Sequence, residues 1–110
     1  MRIDEIDSVN RTARVGLDVT VENRRQGYGK RCFGLLLRYC FEELNLNMVW
    51  LLTASFNEVA QRLYRSLGFQ HTGYLPQMLF RGGEYHNVEH FALLRSGWMT
   101  QHKNTAPEGV

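Results

Sequence analysis

Apolar residues along this chain follow two different periods, and the changes of period mark its elements. From Thr12 to Val21, the positions Val15, Leu17, Val19 and Val21 alternate with polar or small neighbours, the period of two of a half-buried strand. Arg2 to Asp7 reads as its antiparallel partner, with Ser8-Val9-Asn10-Arg11 as the turn. From Lys30 to Leu44 the period lengthens. Phe33, Leu36, Leu37, Cys40, Phe41 and Leu44 form one buried stripe on a helix, which stops at Asn45-Leu46-Asn47. Met48 to Leu52 is an unbroken apolar run, the mark of a central strand covered on both faces. A second helix carries Val59, Ala60, Leu63, Tyr64 and Leu67. Ser55 or Asn57 can cap it, and Gly68 suits the left-handed conformation past its end. Phe69 to Leu75, Met78 to Arg81 and Glu84 to Leu94 are then extended, with Gly82-Gly83 turning the last two into a hairpin. The order β-β-α-β-α-β-β predicts an α/β (α+β) domain over residues 1–95 with a mixed, mostly antiparallel sheet. Residues 96–110 are polar and unpatterned, and are expected to form a flexible tail.

Composition agrees with one compact domain. The 110 residues are 44% hydrophobic and 22% charged with two prolines, enough for a core without staples. Little room is left for a cofactor site, a reactive group and an acceptor pocket together. No apolar run approaches the ~20 residues of a membrane span. The opening Met1-Arg2-Ile3-Asp4-Glu5 is too polar for a signal peptide, which predicts a cytoplasmic protein with no membrane partner. A net charge of +2 gives no global field pointing to nucleic acid. Cys32 and Cys40 lie eight apart on one helix, about 12 Å along its axis and beyond disulfide reach. Free thiols suit a reducing compartment.

The charge is local. Arg24, Arg25, Lys30 and Arg31 surround Gly27 and Gly29 where a strand runs into an amphipathic helix. Free N–H groups at a helix N-terminus, the helix dipole and glycines that admit a close ligand together suit a pyrophosphate. The competing motifs fit poorly: there is no Gly-x-x-x-x-Gly-Lys-Ser/Thr, and a dinucleotide fingerprint needs a third glycine near Cys32. Gly-x-Gly by itself also reads as a tight β-α turn with a solvated basic rim. His86-Asn87-Val88-Glu89-His90 formally matches a zinc-protease signature, which needs both histidines on one helix face. On a strand they sit about 13 Å apart, too far for one metal, and no metal is expected.

Arg24-x-x-Gly27-x-Gly29 after a strand resembles the acetyl-CoA pyrophosphate loop of the GNAT acetyltransferases. Asn57-Glu58-Val59-Ala60 through Leu63-Tyr64 to Gly68-Phe69 resembles the same family's second motif, at matching spacing. Within the family, Tyr39 to Asn47 and the hairpin around Gly82-Gly83-Glu84-Tyr85 are most similar to the ribosomal-protein N-terminal and spermidine acetyltransferases. The resemblance covers about residues 4 to 95. It implies acetyl transfer from acetyl-CoA to a primary amine such as a protein N-terminus or polyamine, by direct attack. It further implies that Leu17, Asp18 and Val19 lend main-chain groups to the pantetheine arm and thioester, and that Arg24, Arg25, Gln26, Gly27, Tyr28, Gly29 and Lys30 cradle the pyrophosphate. Asn57 would hold the cofactor's other side and Tyr64 would be the general acid, since a phenol with a pKa of about 10 stays protonated at neutral pH. Independently of the resemblance, Tyr64 also reads as a core aromatic and Asn57 as an N-cap.

Two departures from the family pattern stand out. Many relatives place a glutamate near the start of the strand entering the loop, where this chain has Arg14. The general base is therefore open among Asp18, Glu89, His90 and a water chain. The strand, two helices and strand with which such relatives begin, and which form much of the acceptor site, have no counterpart here. A truncated acyl-CoA-binding module without transferase activity is the alternative. A sheet so shortened exposes an edge and apolar surface, which predicts a homodimer in which each chain completes the other's sheet or acceptor cleft.

Overall fold

The computed structural model describes residues 2–16 and 28–105, with the backbone alone at 28, 29 and 102–105. Strand β1 (Arg2–Asp7) turns back into β2 (Thr12–Gly16), with Ile3 opposite Val15 and Asp4 opposite Arg14. The turn is held by Asp7, whose Oδ1 accepts the N–H groups of Val9 and Asn10 at 3.0 Å each. These bonds, first those from Asn10, keep its carboxyl below the usual carboxylate range. The remainder of the strand expected to reach Val21 lies outside the described residues.

Helix α1 (Tyr28–Arg38) continues through a π-helical turn at Tyr39–Glu43, closed by the bond from Leu44 N–H to the Tyr39 carbonyl at 2.9 Å. Strand β3 (Met48–Ala54), helix α2 (Glu58–Ser66) and the long strands β4 (Gln70–Arg81) and β5 (Glu84–Leu94) follow. The described residues form one five-stranded sheet in the order β1-β2-β3-β5-β4, parallel between β2 and β3 and antiparallel elsewhere. This is the mixed, mostly antiparallel α+β sheet expected from the sequence.

The core lies on one face. Ala13, Val15, Val49, Leu51, Phe91 and Leu93 of the sheet meet Phe33, Leu37 and Phe41 of the α1 segment, with Tyr64, Phe69 and Trp98 closing the layer. The double covering expected for β3 is not what forms. Val49, Leu51 and Thr53 are buried, whereas Met48, Trp50, Leu52 and Ala54 are half-buried. An apolar run records which residues tolerate burial, not how many faces are covered, and here the second face is only half-buried among the described residues. Trp50 lies between His90 and the Arg14 guanidinium.

Two further expectations are corrected. The run after Gly68 is one strand rather than two, bent by irregularities between His71 and Gly73 and between Leu75 and Leu79. Gln77 turns to φ +52° after Pro76 and gives its N–H to Asn87 Oδ1 at 3.0 Å. The start of the expected flexible tail is helix α3 (Arg95–Thr105). It is held by tertiary contacts rather than by a periodic stripe: Trp98 is 2% exposed against Phe41, and Arg95 bonds the Phe41 carbonyl and Asn45 Oδ1. Residues 106–110 lie outside the described part. No described helix is long and apolar enough to cross a membrane.

Candidate active site

The ladder between the parallel strands β2 and β3 runs only from Thr12↔Met48 to Arg14↔Trp50. Past that point β2 stays with β1, Gly16 facing Arg2, while β3 continues to Ala54 paired with β5. Among the described residues the two strands thus part at Arg14 and Trp50. Main-chain groups at such a parting are left without ladder partners and can bind an extended ligand. The chain leaving β2 there is the Leu17-to-Gly27 segment, which re-enters the described structure at the first turn of α1.

Of the site residues expected from the sequence, Leu17, Asp18, Val19, Arg24, Arg25, Gln26 and Gly27 lie outside the described residues. Tyr28 and Gly29 open α1, followed by an exposed Lys30. A cleft of ≈ 330 Å³ beside this end is lined by Lys30, Gly34, Ser66, Leu67, Trp98 and Gln101. Lys30 therefore lies near the C-terminal turn of α2. Asn57 lies at its other end, about 14 Å away along the helix, so the structure does not bring the two together.

Asn57 is the α2 N-cap: its Oδ1 accepts the Ala60 N–H at 3.1 Å. Tyr64 packs in the core's aromatic cluster, 9% exposed, edge-on to Phe33 at 5.6 Å and 6.1 Å from both Phe69 and Phe91. It is tied by these rings to α1 and β5 together, on the helix side of the sheet. Cys32 and Cys40 are free, and burial pushes the Cys40 thiol up to about 11, where it is inert at neutral pH.

The open candidates for a base occupy different settings. Asp18 is outside the described residues. Glu89 Oε1 lies 2.6 Å from His71 Nε2, a pair that engages the carboxylate. His90 belongs to the other sheet face, with Nδ1 2.5 Å from Thr72 Oγ1 and its ring 5.3 Å from that of Trp50. Burial first, and then the charge of His71, hold His90 below the ordinary histidine range. Arg14 pairs with Glu5 at 3.3 Å. His86 contacts the Arg81 carbonyl and Phe56, apart from the His90 partners. Trp50, His71 and Thr72 were not legible as part of this cluster. A regular ladder counted from the Gly82-Gly83 turn would put Leu75 opposite His90, whereas the irregularities put Gly73 there and bring Thr72 to the ring.

The acetyltransferase (GNAT) family model matches residues 2–69. Spermidine N(1)-acetyltransferase of Escherichia coli (strain K12) is 31% identical over 99 residues, which are 90% of this chain and 53% of that protein. YdaF of Bacillus subtilis (strain 168), named for ribosomal N-acetylation, is 30% identical over 96 residues, 87% of this chain and 52% of its own. The chain spans about half the length of the curated relatives it matches. A mutant form of the spermidine/spermine N-acetyltransferase SpeG from Vibrio cholerae superposes with a TM-score of 0.84 at 28% identity, covering 90% of this chain and 60% of SpeG. The strand parting, the glycine segment that follows it and the capped second helix thus occur in a chain that belongs to the GNAT acetyltransferase family.

Proposed function

We propose that this chain is an acetyl-CoA-dependent N-acetyltransferase that moves an acetyl group directly to a primary amine, without a covalent enzyme intermediate. The observation that carries the proposal is the parting of β2 from β3 at Arg14 and Trp50, ahead of the Leu17-to-Gly27 segment that leads into α1. Unladdered strand edges there suit an extended amide-containing arm, and the helix N-terminus beyond them suits a pyrophosphate. In this reading Leu17, Asp18 and Val19 offer main-chain bonds to the arm and to the thioester carbonyl, where negative charge develops. Arg24, Arg25, Gln26, Gly27, Tyr28, Gly29 and Lys30 hold the phosphates. Asn57 holds the cofactor's other side. Tyr64 donates the proton that the departing sulfur needs. The acceptor class is a polyamine, as in the relatives named for spermidine, or a protein N-terminus. Free Cys32 and Cys40 fit a reducing, cytoplasmic setting.

Thermal melting with acetyl-CoA and a thiol-release assay across polyamines, peptide N-termini and aminoglycosides test the proposal. Ligand at 100 times its dissociation constant adds about 2.7 kcal/mol to stability. Binding with thiol release from one amine class is expected. The absence of any shift at millimolar acetyl-CoA would refute the donor assignment, and binding without release from any amine would identify a non-transferring acyl-CoA module.

The proposal includes a homodimer. Its support is the β4–β5 hairpin, where Tyr74, Leu75, Met78, Phe80 and Tyr85 are 40–64% exposed. A related spermidine N-acetyltransferase from Vibrio cholerae has a dodecameric structure.

A further inference from the structure

The sheet face away from the helices carries an aromatic and cationic stack at the point where the strands part. His90 lies on Trp50 with ring centroids 5.3 Å apart and planes 15° apart, and the Arg14 guanidinium is 5.6 Å from the same indole. Arg14 and Trp50 are the last laddered pair of β2 and β3. The protonation pattern of His90 follows from its partner. The Thr72 hydroxyl has one hydrogen and gives it to the His90 main-chain carbonyl at 3.1 Å, an atom that can only accept. The contact between the same Oγ1 and His90 Nδ1 at 2.5 Å then needs its hydrogen from the ring. A neutral imidazole protonated at Nδ1 carries a lone pair at Nε2.

We infer that His90 is the general base of the acetyl transfer, its Nε2 receiving the proton shed by the acceptor nitrogen. This rests on the acetyl-transfer function proposed above. The amine nitrogen, reacting as its neutral free base, forms a C–N bond to the acetyl carbon as the C–S bond breaks. Tyr64 gives its phenolic proton to the sulfur, and His90 Nε2 takes the surplus proton from nitrogen, directly or through one water. The imidazolium then returns a proton to solvent and the Tyr64 phenolate regains one. Leu51 faces Phe91 and Leu52 faces His90 in the register, so successive β5 residues stand on opposite sides of the sheet beside the parting. Tyr64 contacts Phe91 on the helix side, leaving His90 on the other. Glu89 is already engaged by His71.

The charged groups around the ring are Arg14 with its partner Glu5, Asp4 opposite Arg14, and His71 with Glu89. Only the neutral ring accepts a proton, so kcat/KM in the full chain, expressed per neutral amine, should fall as pH drops, with a midpoint below the ordinary value of 6.5. His90→Asn keeps an amide donor toward Thr72 but has no basic nitrogen. It should lose about 100-fold or more in kcat, lose that acidic limb and retain the acetyl-CoA melting shift. Wild-type kcat/KM in His90→Asn, with the limb intact, would overturn the assignment in favour of Asp18 or water. If His90→Asn fails to fold, the wild-type profile decides alone: a kcat/KM per neutral amine that is independent of pH between about 5 and 7.5 overturns it. A wild-type chain that binds acetyl-CoA yet acetylates no amine refutes the parent function and this role with it, whereas turnover without the limb refutes only the role.

Discussion

Tyr64 packs against Phe33, Phe69 and Phe91 while occupying the position of the proposed acid, so the informative change removes its oxygen and keeps its ring. Tyr64→Phe should melt within about 1 kcal/mol of the parent and bind acetyl-CoA nearly as well. Its transfer rate should fall by about 100-fold or more, read from single-turnover thiol release. Equal loss of affinity and rate would assign Tyr64 to packing instead. Local residues such as this one were the most legible. Asn57 was readable as a cap because its partner is the Ala60 N–H, three positions on, a distance that helix geometry fixes. The Thr72–His90 pair was not readable, because it depends on irregularities in β4 that no local pattern announces.

At the scale of elements, the two helices with a strong period emerged where that period placed them, and α3 had no such period to announce it. Arg95–Thr105 has no apolar stripe, and Trp98 is its deeply buried anchor. Its helicity depends on what the rest of the fold offers: the Phe41 ring at 5.1 Å, and the carbonyl at the π-helical end of the α1 segment that Arg95 bonds. Isolated, an eleven-residue helix of this composition would be marginal in water. Trp98→Ala should therefore cost about 3–5 kcal/mol in urea unfolding, as large aromatic truncations in a core do. A loss below about 1 kcal/mol would show that the helix contributes little to the domain. The same logic explains β3, whose unbroken apolar run does not reveal that Met48, Trp50 and Leu52 are only half-buried while Val49 and Leu51 are buried.

At the scale of the molecule, β4 is an edge strand of the sheet formed by the described residues, twelve residues long with Arg81 as its one fully charged side chain. Such an edge meets little repulsion from a copy of itself and has little field to attract a charged partner. The five exposed apolar residues of the hairpin, each able to cover roughly 100 Å², can bring two copies near the about 1,000 Å² at which specific interfaces begin. Pro76 and the bulge beside it interrupt continuous strand addition, so packing through side chains is the expected mode. Sedimentation at micromolar concentration should give a dimer, and Phe80→Lys with Tyr85→Lys should give a folded monomer. A monomeric parent, or a double variant that remains dimeric, would contradict this. Acetyl transfer by the chain itself is measured most directly by thiol release from acetyl-CoA in the presence of the amine panel. Release that requires chain, donor and one amine class together is the result predicted; acetyl-CoA binding with no release above the rate without protein would contradict it.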